Sequence, residues 1–300
     1  MGTGPAFPYT VAPMSDFADI RACVREVEFE RLGLARRVLK AVVIHPVANH
    51  LPARWLRWLL HFGKSELAAA NWADPGGWRS MVISYEGDPP QVADRILVGG
   101  GSMSMALRNR RRLAARLLAC LIDRTDPPPA HVLCLGAGPG RIIMDAMHLA
   151  RTDAVATMVD RSSDAFDYGR EQARREGLAE KVRFVQADVR DVGGMLDHPP
   201  DLVKMLGICE YLTDEQILDI ARAVVAVMPP GGAIVFNSLD ETHGTDRFFR
   251  RVFGLEMHHR SPVEIESLMR QAGFGEFAAF AEPLGVYHVL VGRKPAAPGE

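Results

Sequence analysis

The chain has 300 residues, 48% of them hydrophobic, and a formal net charge of −2. That supply of apolar residues builds a sizeable core and excludes disorder as the default, while the near-neutral balance excludes a global basic field drawing the protein to nucleic acid or anionic lipid. The four cysteines, Cys23, Cys120, Cys134 and Cys209, form no C-x-x-C pair, so they read as thiols of a reducing compartment, with neither a disulfide scaffold nor a zinc knuckle indicated.

Residues 1–14 lack the basic and apolar regions of a signal peptide and are expected to form a flexible tail or an expression scar. No apolar run is long enough to span a membrane, so a soluble, cytoplasmic protein is expected. Residues 15–125 are expected to form a helical domain that acts as a lid and selects the substrate. After an N-cap candidate at Ser15, Phe17, Ile20, Cys23, Val24, Val27, Leu32, Leu34 and Val38 recur mostly at three- and four-residue spacings, which predicts one or two helices. Pro52 opens a further helix running to Phe62, with Trp55, Leu56, Leu59 and Leu60 on one side. The stripe is expected to pack on the neighbouring domain; as a basic aromatic helix it also suits a membrane or a partner, and Trp55 and Trp58 suit a homodimer surface. Residues 71–102, punctuated by Asp74-Pro75-Gly76-Gly77, Gly87-Asp88-Pro89-Pro90 and Gly99-Gly100-Gly101, read as a loop-rich cover. A helix over 103–122 then carries Arg108-Asn109-Arg110-Arg111-Arg112 and stops before the boundary at Asp126-Pro127-Pro128-Pro129.

Residues 126–295 follow a regular order, and 296–300 read as a tail. Strands are predicted at 131–135, 154–159, 182–186, 201–206 and 233–237, helices at 141–150, 164–177, 214–227 and 262–272, and two last strands at 276–282 and 286–292. Strands alternating with helices in this way indicate an α/β fold, a mostly parallel doubly wound sheet with a C-terminal antiparallel hairpin.

The first strand runs into Gly136-Ala137-Gly138-Pro139-Gly140. Glycines at a strand-to-helix turn permit positive φ and close approach of a ligand to the backbone, beside the unpaired N–H groups of a helix start. A nucleotide-like ligand follows, although a tight turn needs glycine for sterics alone. Asp160, after strand two, lies at the distance expected for ribose hydroxyls, and Asp188, after strand three, stands where an adenine amine is met. A dinucleotide predicts G-x-G-x-x-G, but Gly140 falls one residue early and Arg141 occupies the expected position.

With Asp160, Asp188 and Met228-Pro229-Pro230-Gly231-Gly232 before strand five, the run Val132–Gly140 resembles the class I S-adenosylmethionine (SAM) dependent methyltransferases over roughly residues 126–293. The resemblance implies a seven-stranded sheet and SAM as cofactor. It carries Gly136, Ala137, Gly138 and Gly140 over as the turn beside the adenosyl and methionine groups, Asp160 as ribose ligand, and Asp188 with Val189 as the adenine pocket. Arg161 departs from the commoner apolar neighbour. Gly207 to Leu212 fall near the sulfonium and the substrate. No Asn/Asp-Pro-Pro-Tyr signature follows strand four, so base-modifying enzymes of nucleic acids are not indicated.

Methyl transfer from a sulfonium needs chiefly orientation and desolvation. Candidates for a base are Glu210 and Tyr211, then His243, His258 and His259, each of which also suits a structural role. Tyr85 and Trp78 are candidates to close over the sulfonium by cation–π contact. The arginine run reads as a solvated helix face, as an anion site for the SAM carboxylate or substrate, with Arg108 the candidate, or as a nucleic-acid patch. The expected function is methylation of a small molecule. Two alternatives are consumption of SAM itself, by cyclisation or aminocarboxypropyl transfer with release of methylthioadenosine, and SAM binding without catalysis.

Overall fold

The computed structural model describes residues 15–194, 196–241 and 244–296. The expectations for the first fourteen residues, most of the C-terminal tail and His243 lie outside them.

Seven strands form one sheet in the order β3-β2-β1-β4-β5-β7-β6. They are β1 (Ala130–Leu135), β2 (Ala154–Asp160), β3 (Val182–Gln186), β4 (Leu202–Met205), β5 (Ala233–Leu239), β6 (Gly275–Ala281) and β7 (Tyr287–Arg293). The first five pair with one another in parallel, and β7 runs antiparallel to both β5 and β6. Side chains alternate across β1, so Val132 and Cys134 join one buried layer while Leu133 and Leu135 join the other. The order reverses on either side of β1, which opens a crevice beyond its carboxyl end.

The helices before the sheet are α1 (Ser15–Arg25), α2 (Leu34–Leu39), α3 (His45–His50), α4 (Ala53–Phe62), α5 (Glu66–Ala73), α6 (Trp78–Glu86), α7 (Val92–Asp94) and α8 (Ser102–Ile122). Within and after the sheet come α9 (Arg141–Leu149), α10 (Ser163–Arg175), α11 (Asp214–Val227), α12 (Asp246–Phe248) and α13 (Pro262–Ala272). Local chemistry sets their ends: Thr213 with Gln216 and Ser261 with Glu264 form capping boxes, and Gly273 ends α13 at φ 110°. Helices α1, α8 and α9 cover one face of the sheet, and α11 with α13 covers the other.

Three expectations are corrected. Residues 66–99 are mostly helical, because Ser65 caps α5 and Gly87 ends α6 at φ 79°, so the glycines and prolines join short helices. On α4 the buried stripe is Leu56 and Leu60, packed on Phe248, Val252 and Phe253, whereas Trp55, Trp58 and Leu59 are more than half exposed. Cys23 and Cys120 are disulfide-bonded across a sequence separation of 97, since α1 packs on α8 and brings their Cα atoms to 6.6 Å. Among the described residues no helix is long and apolar enough to cross a membrane.

Candidate active site

A cavity of about 550 Å³ occupies the crevice beyond β1, within the range that holds a cofactor-sized ligand. Gly136, Gly138 and Gly140 take φ of +59°, +51° and +81°, and Gly140 then starts α9. A side chain at Gly136 is barred twice, by the left-handed backbone and by Ile208, whose Cγ2 lies 2.1 Å from where a Cβ would stand. The turn is tied to β2: the Ala137 N–H donates to the Val159 carbonyl at 3.0 Å, and the Gly138 N–H donates to Asp160 Oδ2 at 2.7 Å. Asp160 Oδ1 accepts from the Ser162 N–H at 3.0 Å.

The expected site residues Gly136, Ala137, Gly138, Gly140, Asp160, Arg161, Asp188, Val189, Gly207, Tyr85 and Tyr211 all line this cavity. Asp188 is gripped by Arg190 Nε and Nη2 at 2.9 and 2.8 Å, and these bonds hold its carboxyl well below the usual carboxylate range. Trp78 lies over the turn, 3.6 Å from a Cβ placed on Gly138, with its ring 5.5 Å from that of Tyr168. Burial pushes the Tyr211 hydroxyl above its ordinary pKa, and the charge of Glu210 adds to the shift.

Two expected residues are elsewhere. Glu210 is buried below the cleft: it forms an ion pair with Arg110 Nη1 at 3.0 Å and accepts from Asn237 Nδ2 at 3.2 Å. Tied in this way it braces the site, and its position does not suit a base meeting an acceptor. Arg108 turns from the cavity to Glu30, donating from Nη2 at 2.7 Å, and its Nη1 donates to the carbonyls of Ser84 and Val98. The anion-site expectation moves two residues on. Arg110 lines the cavity, its guanidinium 4.4 Å from the centre of the Tyr287 ring and its buried Nε without a hydrogen-bond partner. Burial pulls its pKa down, but Tyr287, Tyr85 and Glu210 outweigh that and keep it charged. Positions 108 and 110 lie about 200° apart around a helix, so they face different ways. His258 and His259 stand outside the lining; His258 gives its backbone N–H to the Glu210 carbonyl at 2.7 Å.

Other lining residues were not singled out from the sequence. Lys204 interrupts the apolar run of β4, opposite Cys134, and donates from Nζ to the Leu206 carbonyl at 2.8 Å and to that of Gly136 at 3.4 Å. A buried lysine in a parallel strand was the available signal. Asp74 and Gly77 bring the start of α6 to the cavity.

These residues fit the cofactor expected from the sequence. Two carboxylates stand at the carboxyl ends of neighbouring strands, Asp160 closing β2 and Asp188 two residues beyond β3, and a glycine turn leaves the backbone bare. At Gly207, with φ +82°, a Cβ would come within 3.4 Å of Arg110 Nη2. Residues 132–232, about a third of the chain, match a family model described as a methyltransferase domain. A release factor glutamine methyltransferase from Chlorobaculum tepidum is 26% identical over 188 residues, which is 59% of this chain and 60% of that protein. The match thus spans less than two thirds of that relative's length. Two solved structures share the fold. A possible exported protein from Bordetella parapertussis has a TM-score of 0.62 at 17% identity, covering 94% of this chain and 98% of its own. Magnesium protoporphyrin IX methyltransferase from Synechocystis, with bound S-adenosylhomocysteine, has a TM-score of 0.51 at 12% identity, covering 64% and 87%. Residues 132–232 accordingly resemble a methyltransferase domain, and the fold is one that a methyltransferase structure shares.

Proposed function

We propose that the chain transfers a methyl group from SAM to a small-molecule acceptor. The observation that carries this is the meeting of the glycine turn, Asp160 and Gly207 in one cavity at the point where the strand order reverses. Asp160 would hold the ribose hydroxyls, Asp188 and Val189 the adenine, and Arg110 with Lys204 the carboxylate of the methionine arm. When bound, SAM supplies a sulfonium whose methyl carbon takes the acceptor's lone pair as the carbon–sulfur bond breaks and sulfur keeps the electrons. The chain's part is to orient the acceptor and exclude water. Trp78, Tyr85 and Tyr211 form the lid side of that enclosure, and Glu210 holds Arg110 in place.

The test is a calorimetric titration with SAM. Asp160→Ala removes a charged hydrogen-bonding group worth about 1.5–3 kcal/mol, so affinity should fall roughly 10- to 150-fold. Unchanged affinity would overturn the placement of the ribose. Product analysis completes the test: S-adenosylhomocysteine formed only with an acceptor supports methyl transfer, whereas methylthioadenosine formed without one overturns it. The reading extends to a homodimer through α4, supported by Trp55 and Trp58, 52% and 57% exposed, with Phe62 stacked beside them. Sedimentation should give twice the 33.0 kDa chain mass, and a monomer would refute it.

A further inference from the structure

A second cavity, of about 590 Å³, lies on the lid side of the first, enclosed by α3 to α8 and the segment from α12 to Met257. Gly76, Met81 and Tyr211 line both cavities. At the junction Tyr211 packs directly on a glycine: Gly76 has φ +73°, and a Cβ there would stand 2.6 Å from the Tyr211 hydroxyl oxygen, so the two cavities are separated by little more than this contact. Leu56, Leu60, Leu97, Phe248 and Phe253 supply much of the wall, and no carboxylate occurs among its described lining residues. Its cationic side chain is Lys40, and beside it the buried Nε2 of His45 has no hydrogen-bond partner. A ligand here meets a largely apolar wall with a few hydroxyl and amide groups, and at its edge the Lys40 ammonium, near enough to Glu282 to feel its charge, with the His45 imidazole beside it. That combination favours an apolar body that is neutral or singly anionic and rejects a cation.

Resting on the methyltransferase reading, we infer that this second cavity is the acceptor site, and that the acceptor is a lipophilic molecule, neutral or singly anionic, presented to the cofactor past Gly76 and Tyr211. Burial lowers the pKa of His45, with the charge of Lys40 adding to it, so the imidazole stays neutral and offers hydrogen bonding without charge.

The experiment uses the full chain saturated with S-adenosylhomocysteine and titrates it calorimetrically with butane-, hexane- and octanesulfonate. Affinity should rise about fourfold per added methylene as apolar area is buried, with S-adenosylhomocysteine remaining bound. Val47→Trp fills the cavity from a wall position that is 47% exposed, so folding is spared, and should weaken octanesulfonate at least tenfold while leaving S-adenosylhomocysteine affinity unchanged. Lys40→Met should reduce the preference for octanesulfonate over 1-octanol and keep the chain-length dependence. Mutual displacement of octanesulfonate and S-adenosylhomocysteine, no dependence on chain length, or wild-type octanesulfonate binding by Val47→Trp would each overturn the assignment alone. Failure of the protein to bind S-adenosylhomocysteine, with octanesulfonate still bound, would overturn the methyltransferase reading and the acceptor site with it.

Discussion

Gly136→Ala tests the turn most directly. The added methyl meets Ile208 Cγ2 at 2.1 Å, far inside ordinary contact, and the residue must hold φ +59°. The left-handed backbone costs about 1–2 kcal/mol and the overpacking about 1–3 kcal/mol, so destabilisation of about 2–5 kcal/mol is expected. Urea unfolding reads the total, and a SAM titration reads the displacement of the turn as weakened binding. Ile208→Ala in the same chain removes the clashing methyl, and the remaining neighbour is Ile208 Cβ at 3.4 Å. The double variant should therefore recover the overpacking share and keep the backbone share, giving a non-additive cycle. Wild-type stability and SAM affinity for Gly136→Ala would refute the argument. Strict additivity with Ile208→Ala would refute the identity of the neighbour.

Two further outcomes are expected. Glu210→Gln leaves the Arg110 guanidinium buried without its carboxylate, so stability should fall by about 3–5 kcal/mol in urea; a double Arg110→Met, Glu210→Met chain should recover much of it, and no recovery would count against the pair as the cause. The Glu30 carboxyl, held below its ordinary 4.5 by hydrogen bonds from Arg108, contributes stability that is fully present above pH 4.5 and is lost as pH falls through the lower folded-state value. Urea midpoints measured from pH 6 to 3 should fall more steeply for the wild type than for Glu30→Gln, and parallel curves would refute the linkage.

Much of the sheet was legible because a parallel α/β sheet writes each buried strand as an apolar run and each crossover as a helical period. The helix at 214–227 and the one at 262–272 match their predicted bounds for that reason. The N-terminal helices were harder to read. Between 66 and 99 the turn residues sit at the ends of helices only eight or nine residues long, and punctuation so dense looks irregular when packing is unseen. On α4 the alternatives were a hidden and an exposed aromatic stripe, and composition does not say which side of an apolar helix meets the core. The arginine run shows the same limit: its spacing says that Arg108 and Arg110 diverge, but only the tertiary structure shows which faces the cleft. Lys204 was hidden by its setting in an otherwise apolar strand, and the pairing of Cys23 with Cys120 rests on contact between α1 and α8 that no local pattern announces.

Helix α8 ties these parts together. Its 21 residues, roughly 30 Å of rod, have Met103 and Leu107 packed with Tyr287 of β7 and with Met81 and Tyr85 of α6, and Leu113, Leu117 and Leu118 sunk in the sheet's core. Arg110 lies between those grips and fastens to Glu210 beyond β4. One continuous helix thus supplies a wall to each cavity, Met103 and Leu107 to the second and Arg110 to the first, so the spacing between the two is set by the rise of a single rod.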